Sequence, residues 1–144
     1  MYQNGIRSYQ KTNVTTADPK RLVLMCYEGA ISNLKIAREK YAFKEYEAKA
    51  KAVQKAQEIL TLLLQSLDFE KGGKIAVSLE ALYNYMLRRL IDGDIKKDTK
   101  IIDEVIYLLE ELESAWKEIF RTSENAGFIS DTGQEKQAEA AGDY

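Results

Sequence analysis

The sequence predicts an all-α fold, an antiparallel up-down four-helix bundle. Three observations predict it. Apolar residues recur at steps of three and four through four successive stretches, which gathers each set on one helix face. The single proline, Pro19, precedes all four stretches, so no later residue breaks a helix by lacking an N–H. The stretches are joined by short connections, and short loops force neighbouring helices to run antiparallel. Strand-like alternation is sustained nowhere.

The first helix opens at Thr15-Thr16-Ala17-Asp18-Pro19-Lys20. Asp18 suits an N-cap, where its carboxylate accepts backbone N–H bonds, and Pro19 then takes the first helical position, where a missing N–H costs nothing. The apolar stripe is Val23, Tyr27, Ala30, Leu34, Ala37 and Tyr41. The first turn falls near Ala42-Phe43-Lys44-Glu45, where no strong breaker stands and a change of phase marks the boundary. The second stripe is Tyr46, Val53, Ala56, Leu60, Leu63 and Leu67, with Lys49 at a position that the pattern reserves for an apolar residue. Ser66 to Gly73 is a clear break, ending in Gly72-Gly73. The third stripe is Ala76, Leu79, Tyr83, Met86 and Leu90, and Gly93 within Asp92-Gly93-Asp94 is placed to be its left-handed C-cap. Asp98 or Thr99 can cap the fourth helix, whose stripe is Ile102, Val105, Leu109, Leu112, Trp116 and Ile119. Each helix is expected to span about 22 residues, roughly 33 Å at 1.5 Å per residue.

The bundle is therefore expected over residues 16–121. Residues 1–15 are polar with isolated Tyr2, Ile6, Tyr9 and Val14. Residues 122–144 carry little to bury and are expected to be a disordered tail with an acidic excess.

Composition excludes much chemistry. The 144 residues contain no His, one Cys and one Pro, and the formal net charge is −2. Without His there is no Ser-His-Asp or Cys-His catalysis, no His-ligated haem and no His-containing zinc site. One Cys allows neither an internal disulfide nor a multi-Cys metal centre. Near-neutral charge argues against a general nucleic-acid binder. No apolar run reaches the roughly 20 residues of a membrane span, and Met1 to Gly5 lacks the features of a signal peptide. The expectation is a cytosolic, single-domain protein that is not an enzyme, with no cofactor, no metal, no nucleic-acid partner and no membrane insertion. Individual candidates agree. Cys26 lies beside the core stripe and reads as a buried thiol. The glutamates Glu110, Glu111 and Glu113 read as a solvated face, since di-iron bundles need Glu-x-x-His. Glu70-Lys71-Gly72-Gly73-Lys74 lacks P-loop spacing and follows a helix, so it reads as a helix–helix turn. Arg88, Arg89, Lys96, Lys97 and Lys100 read as a solvated or ion-paired face.

The apolar surplus is more informative. A minimal bundle needs about three apolar positions per heptad, and this one has more: Leu24 and Ile31, then Ala52, Ile59 and Leu62, then Ile75, Val77 and Leu82, then Ile101 and Leu108. Nine tyrosines are present, of which Tyr2, Tyr9, Tyr85 and Tyr107 fall off the stripes or outside the helices. Such a surplus either thickens the core or forms surface grooves that accept apolar helices of a partner.

A family resemblance bears on that choice. Gly5-Ile6-Arg7-Ser8-Tyr9, Val14-Thr15-Thr16-Ala17-Asp18-Pro19, Leu24-Met25-Cys26-Tyr27-Glu28-Gly29-Ala30, Lys55-Ala56-Gln57-Glu58-Ile59, Leu67 to Ala76, Leu82-Tyr83-Asn84-Tyr85-Met86-Leu87-Arg88-Arg89-Leu90 and Ala115-Trp116-Lys117-Glu118-Ile119 resemble, in order and spacing, segments of FliS-type flagellin export chaperones. The resemblance covers roughly residues 5–120. Cys26 stands where Leu is usual, Gly93-Asp94 where Ala-Asn is common, and the tail matches nothing in the family.

The resemblance implies a helical bundle that binds the C-terminal region of flagellin, prevents its premature polymerisation and delivers it to the export gate, without consuming nucleotide. It implies further that residues 1–15 plug part of the client groove, with Ile6 and Tyr9 as anchors. The residues expected to meet the partner are Ile6, Tyr9, Leu24, Ile59, Leu62, Ile75, Leu82, Tyr85, Arg88, Arg89 and Leu108. A homodimer in the absence of client would be another way to cover the surplus. An adaptor bundle that serves flagellar regulation through a different partner is the alternative reading.

Overall fold

In the computed structural model of the chain, residues 19–126 are described, apart from the side chains of 94–96 and 123–126. Four helices follow one another: α1 Pro19–Ala42, α2 Tyr46–Gln65, α3 Phe69–Lys96 and α4 Thr99–Ala126. Among the described residues there is no strand. The helix α1 packs on α2 and α4, and α3 packs on the same two, so the chain order runs round a ring. With links this short, the fold is the up-down four-helix bundle that the spacing predicts.

The ends of the helices show how local chemistry sets the turns. After α1, Lys44 takes a left-handed conformation (φ 59°). Its N–H bonds the Tyr41 carbonyl at 2.9 Å, and the Glu45 N–H bonds the Lys40 carbonyl at 2.8 Å. This is a Schellman closure made without glycine. Asp68 caps α3, its carboxylate accepting from the Glu70 and Lys71 N–H groups at 3.0 Å each. The helix then kinks at Gly73 (φ 51°, ψ −125°), backbone angles open only to glycine. Asp98 caps α4, accepting from the Lys100 N–H at 3.0 Å.

Gly93 corrects the sequence reading. It is not the C-cap of α3. The helix continues to Lys96, and Lys97 is the left-handed residue (φ 56°), with the Asp98 N–H closing on the Gly93 carbonyl at 3.0 Å. Gly93 is needed for close approach: a Cβ there would sit 3.1 Å from both Cβ and Cγ2 of Ile101. Accordingly α3 and α4 each span 28 residues, longer than expected, while α1 and α2 span 24 and 20.

The stripes form the core. Val23, Tyr27, Ala30, Leu34 and Ala37 of α1 are buried, as are Val53, Ala56, Leu60 and Leu63 of α2 and all five stripe residues of α3. On α4 the stripe drifts. Ile119 is about half exposed, and Phe120 is buried in its place, stacked on Trp116 at 5.5 Å. Tyr46 also leaves the core, while Lys49 is buried as the periodicity requires, its ammonium 5.8 Å from the centre of the Tyr41 ring. Of the surplus residues, Ile31, Ala52 and Ile101 fill the core.

One polar knot crosses the interior. The hydroxyls of Tyr27 and Tyr83, both fully buried, lie 2.5 Å apart, and the Trp116 indole N–H donates to the Tyr27 oxygen at 3.0 Å. The knot joins α1, α3 and α4. Burial pushes the Tyr27 phenol up to about 12 and holds that of Tyr83 well above the ordinary value. Burial likewise pushes the Cys26 thiol up to about 11, so this side chain is core material, as expected.

Candidate partner-binding flanks of the third helix

The geometry singles out α3. Its core stripe is flanked on both sides by apolar side chains that the bundle leaves partly or wholly uncovered. The first flank holds Ile75, Leu82, Tyr85 and Arg89, at steps of seven, three and four. Its direction is settled by two bonds. The Tyr85 hydroxyl donates to Glu104 Oε2 at 2.5 Å, and Arg89 Nε donates to Glu104 Oε1 at 2.8 Å. This flank therefore faces α4. There, Leu108, Leu112, Ala115 and Ile119 continue the row that starts at Glu104. Leu82, Leu108 and Leu112 are half-buried against the core, while Ile75 is 53% exposed. The seam is apolar along its lower part and closes at the Tyr85–Glu104–Arg89 clasp.

The second flank holds Val77, Leu87 and Ile91. Val77 and Ile91 are 14 residues apart, close to four turns, and so share a side. Since α3 packs chiefly on α2 and α4, and the α4 side is taken, this flank faces α2. Val77 is 56% and Ile91 53% exposed, with Leu87 half-buried between them. Together they leave a discontinuous apolar strip along this side of α3.

The clasp has its own electrostatics. The hydrogen bond from Tyr85, then that from Arg89, holds the Glu104 carboxyl below its ordinary value. The same bond to Glu104 raises the Tyr85 phenol, and Arg89 lies 6.0 Å from the Tyr85 ring. Both Tyr85 and Arg89, expected to meet a partner, are thus bonded across to α4.

The remaining candidates are spread out. Leu24 lies on α1 in the row Leu24, Ile31, Lys35, Arg38, which faces α4. Lys35 pairs with Glu110 at 3.3 Å and Arg38 with Asp103 at 2.9 Å. A shallow groove of about 460 Å³ opens there, lined by Glu28, Ile31, Ser32, Lys35, Ile36, Glu39, Glu110 and Glu113. Its four carboxylates make it a poor seat for an apolar segment. Ile59 and Leu62 are half-buried on α2 against the core. Arg88 is exposed. Ile6 and Tyr9 lie outside the described residues.

Sequence reasoning thus brings Ile75, Leu82, Tyr85, Arg89 and Leu108 to one seam and scatters the rest. It misses the opposite flank, where Val77 counts only as surplus and Leu87 and Ile91 do not count at all. The seven-residue spacing of Val77, Asn84 and Ile91 is the signal that could have found it.

Among the described residues, no cluster of His, Cys, Asp and Glu could hold a metal ion, and no helix is long and apolar enough to cross a membrane. The two flanks of α3 leave apolar side chains uncovered.

Comparison with known proteins gives this surface a context. The chain is 39% identical over 121 residues to the flagellar secretion chaperone FliS of Salmonella typhimurium strain LT2, covering 81% of this chain and 90% of that protein. It is 34% identical over 116 residues to the flagellar secretion chaperone FliSB of Pseudomonas aeruginosa, covering 78% and 92%. It is 33% identical over 122 residues to the flagellar secretion chaperone FliS of Bacillus subtilis strain 168, covering 83% and 89%. These relatives are named chaperones, not enzymes. The family model described as "Flagellar protein FliS" matches residues 2–123, which takes in the whole bundle except the last residues of α4, and on these grounds the chain belongs to the FliS family of flagellar proteins.

Proposed function

We propose that this protein is a cytosolic chaperone for flagellin, holding the C-terminal region of the newly made subunit so that it does not polymerise before export, and presenting it to the export gate. The observation that carries the reading is the apolar character of both flanks of α3. Ile75 and Val77 stand on opposite sides of the core stripe, with Leu82, Leu108, Leu87 and Ile91 extending the two seams. A segment that is disordered alone and helical when packed can lay its apolar face along one seam, cross over α3 and use the other. Coupled folding of this kind covers a large area while ordering of the client consumes part of the binding energy, which leaves release for export accessible. Membership of a family whose relatives are named flagellar secretion chaperones supports the reading.

The test mixes the protein with its cognate flagellin and follows the complex by gel filtration. A stable complex is expected, lost when the C-terminal region of flagellin is deleted. The paired substitutions Ile75→Asp and Val77→Asp, both at exposed positions, should weaken the complex at least tenfold while leaving the helical circular dichroism and melting temperature near those of the parent. No complex with flagellin, or one indifferent to that deletion, refutes the proposal.

A further inference from the structure

The clasp at the head of the α3–α4 seam engages only part of Arg89. Its Nε donates to Glu104 Oε1 at 2.8 Å, while the Tyr85 hydroxyl donates to Glu104 Oε2. A guanidinium carries five N–H donors, four of them on its two terminal nitrogens. Among the described residues, those four make no hydrogen bond. The group is nevertheless held in place. The bond through Nε fixes the plane of the fork, the guanidinium carbon lies 6.0 Å from the centre of the Tyr85 ring, and the side chain is 31% exposed. Arg89 thus presents a planar, oriented set of donors that a partner can reach.

Directly below the clasp the seam is apolar. Leu82 lies one turn before Tyr85 on α3, and Leu108 lies one turn after Glu104 on α4, with Leu112 a turn further. All three are half-buried. An apolar helix laid on this row brings one of its ends to Arg89, and the surrounding charges decide which end. Glu104 already balances the guanidinium, and Asp92 adds a second negative charge near it. A partner carboxylate would meet both of these like charges. The amino end of a helix would face Arg89 with N–H donors of its own, and each oxygen of Glu104 is already engaged by a donor. The carboxyl end offers up to four carbonyl oxygens that lack intrahelical partners, together with the negative end of the helix dipole. Such carbonyls accept from a guanidinium without bringing a full charge beside Glu104.

We propose that Arg89 is the polar anchor of the seam: its terminal N–H groups take the last-turn carbonyls of an apolar partner helix. That helix then runs parallel to α3, with its carboxyl end at Arg89 and its amino end toward Ile75. The inference rests on the function proposed above, in which the partner is the C-terminal region of flagellin. It adds what the apolar side chains leave open, the polarity of the bound segment, and it assigns that polarity to one residue.

The test uses the whole chain and cognate flagellin. Arg89→Gln should weaken the complex about tenfold, and Arg89→Lys, which keeps the charge but loses the fork, several-fold, both through faster dissociation. Glu104→Gln, which loosens the clasp and keeps the fork, and Arg88→Gln at the exposed neighbouring position should each change the affinity less than twofold. Polarity is read with a nitroxide at Arg88→Cys or at Lys74→Cys, both exposed positions at opposite ends of the seam; the buried Cys26 thiol, protonated at neutral pH, is spared. In isotope-labelled flagellin, the label at 88 should bleach the carboxyl-end turn of the bound helix and the label at 74 its amino-end turn. If flagellin binds but the pattern is reversed or shows both orientations, or if Glu104→Gln costs as much as Arg89→Gln, the anchor is wrong while the chaperone reading stands. If flagellin does not bind at all, both are overturned.

Discussion

Replacing Tyr27 by Phe removes one oxygen from the middle of the bundle, and two hydrogen bonds go with it. That oxygen receives the Trp116 N–H at 3.0 Å and meets the Tyr83 hydroxyl at 2.5 Å. The aromatic ring remains, so little packing is lost and the cost is almost all polar. A buried group deprived of its partner costs about 1–3 kcal/mol. With two groups affected, Tyr27→Phe should cost about 2–4 kcal/mol. Tyr83→Phe removes only the outer member of the knot and leaves the Trp116–Tyr27 bond in place, so about 1 kcal/mol is expected. Urea unfolding measures both. With a slope of about 2 kcal/mol per molar, Tyr27→Phe should lower the midpoint by roughly 1–2 M and Tyr83→Phe by about 0.5 M. The single tryptophan of the chain is Trp116 itself, so its fluorescence follows both the knot and the transition. The double variant should lose less than the sum, because the two hydroxyls are each other's partner. If Tyr83→Phe proves as costly as Tyr27→Phe, the central role given to the Tyr27 oxygen is wrong.

Three further outcomes are expected from the same geometry. Gly93→Ala should lower the melting temperature, because the added methyl meets Ile101 at 3.1 Å and overpacking of about 1–3 kcal/mol outweighs the roughly 1 kcal/mol of helix propensity gained; differential scanning calorimetry would decide it. The Glu104 carboxyl is held below its ordinary value by Tyr85 and Arg89, so the clasp stabilises the fold at neutral pH and that contribution fades as pH falls below the usual carboxylate range; Glu104→Gln should flatten this part of the acid stability curve. At the alkaline end the sign reverses: burial raises Cys26 to about 11 and Tyr27 to about 12, so stability should decline as pH climbs from the unfolded thiol and phenol values toward these. Native protein at pH 8 should accordingly resist thiol reagents that modify it readily in urea.

The parts of the fold that were legible in the sequence are those set by periodicity. Steps of three and four located all four helices and most of the buried residues, since burying one face is a demand that each helix must meet by itself; Ile106 and Phe120 of α4 are buried off the stripe. Lys49 shows how strong that demand is: a charged residue at an apolar position is buried anyway, with its stem in the core and its ammonium near Tyr41. The features that sequence misleads on depend on a second helix. Gly93 looks like a cap in its own stretch of chain, and only the approach of Ile101 reveals why glycine stands there. The exchange of Ile119 for Phe120 comes from the drift of a long helix, at 3.6 residues per turn, against a strict heptad. In the candidate site, Tyr85 and Arg89 are recognisable as residues off the stripe. That both find Glu104 is a matter of register between α3 and α4, which spacing along either helix cannot disclose. The α2-facing flank escapes notice because Val77 and Ile91 are too far apart to look like a cluster along the chain.

The unequal packing of the four helices has a consequence for how the molecule breathes. The α1–α2 pair makes the closest contact in the bundle, and its buried positions include Ala30, Ala37, Ala52 and Ala56, small enough to let two backbones approach. Its amides should exchange with solvent only through global unfolding. Phe69 to Val77, hinged at Gly73 and rich in uncovered side chains, should instead open in small local excursions that leave the rest of the bundle intact. The molecule then has a stiff half and a yielding half. A guest that settles on α3 would add stability where the empty bundle has least, so that binding would appear as slowed amide exchange in one helix without any rearrangement of the other three.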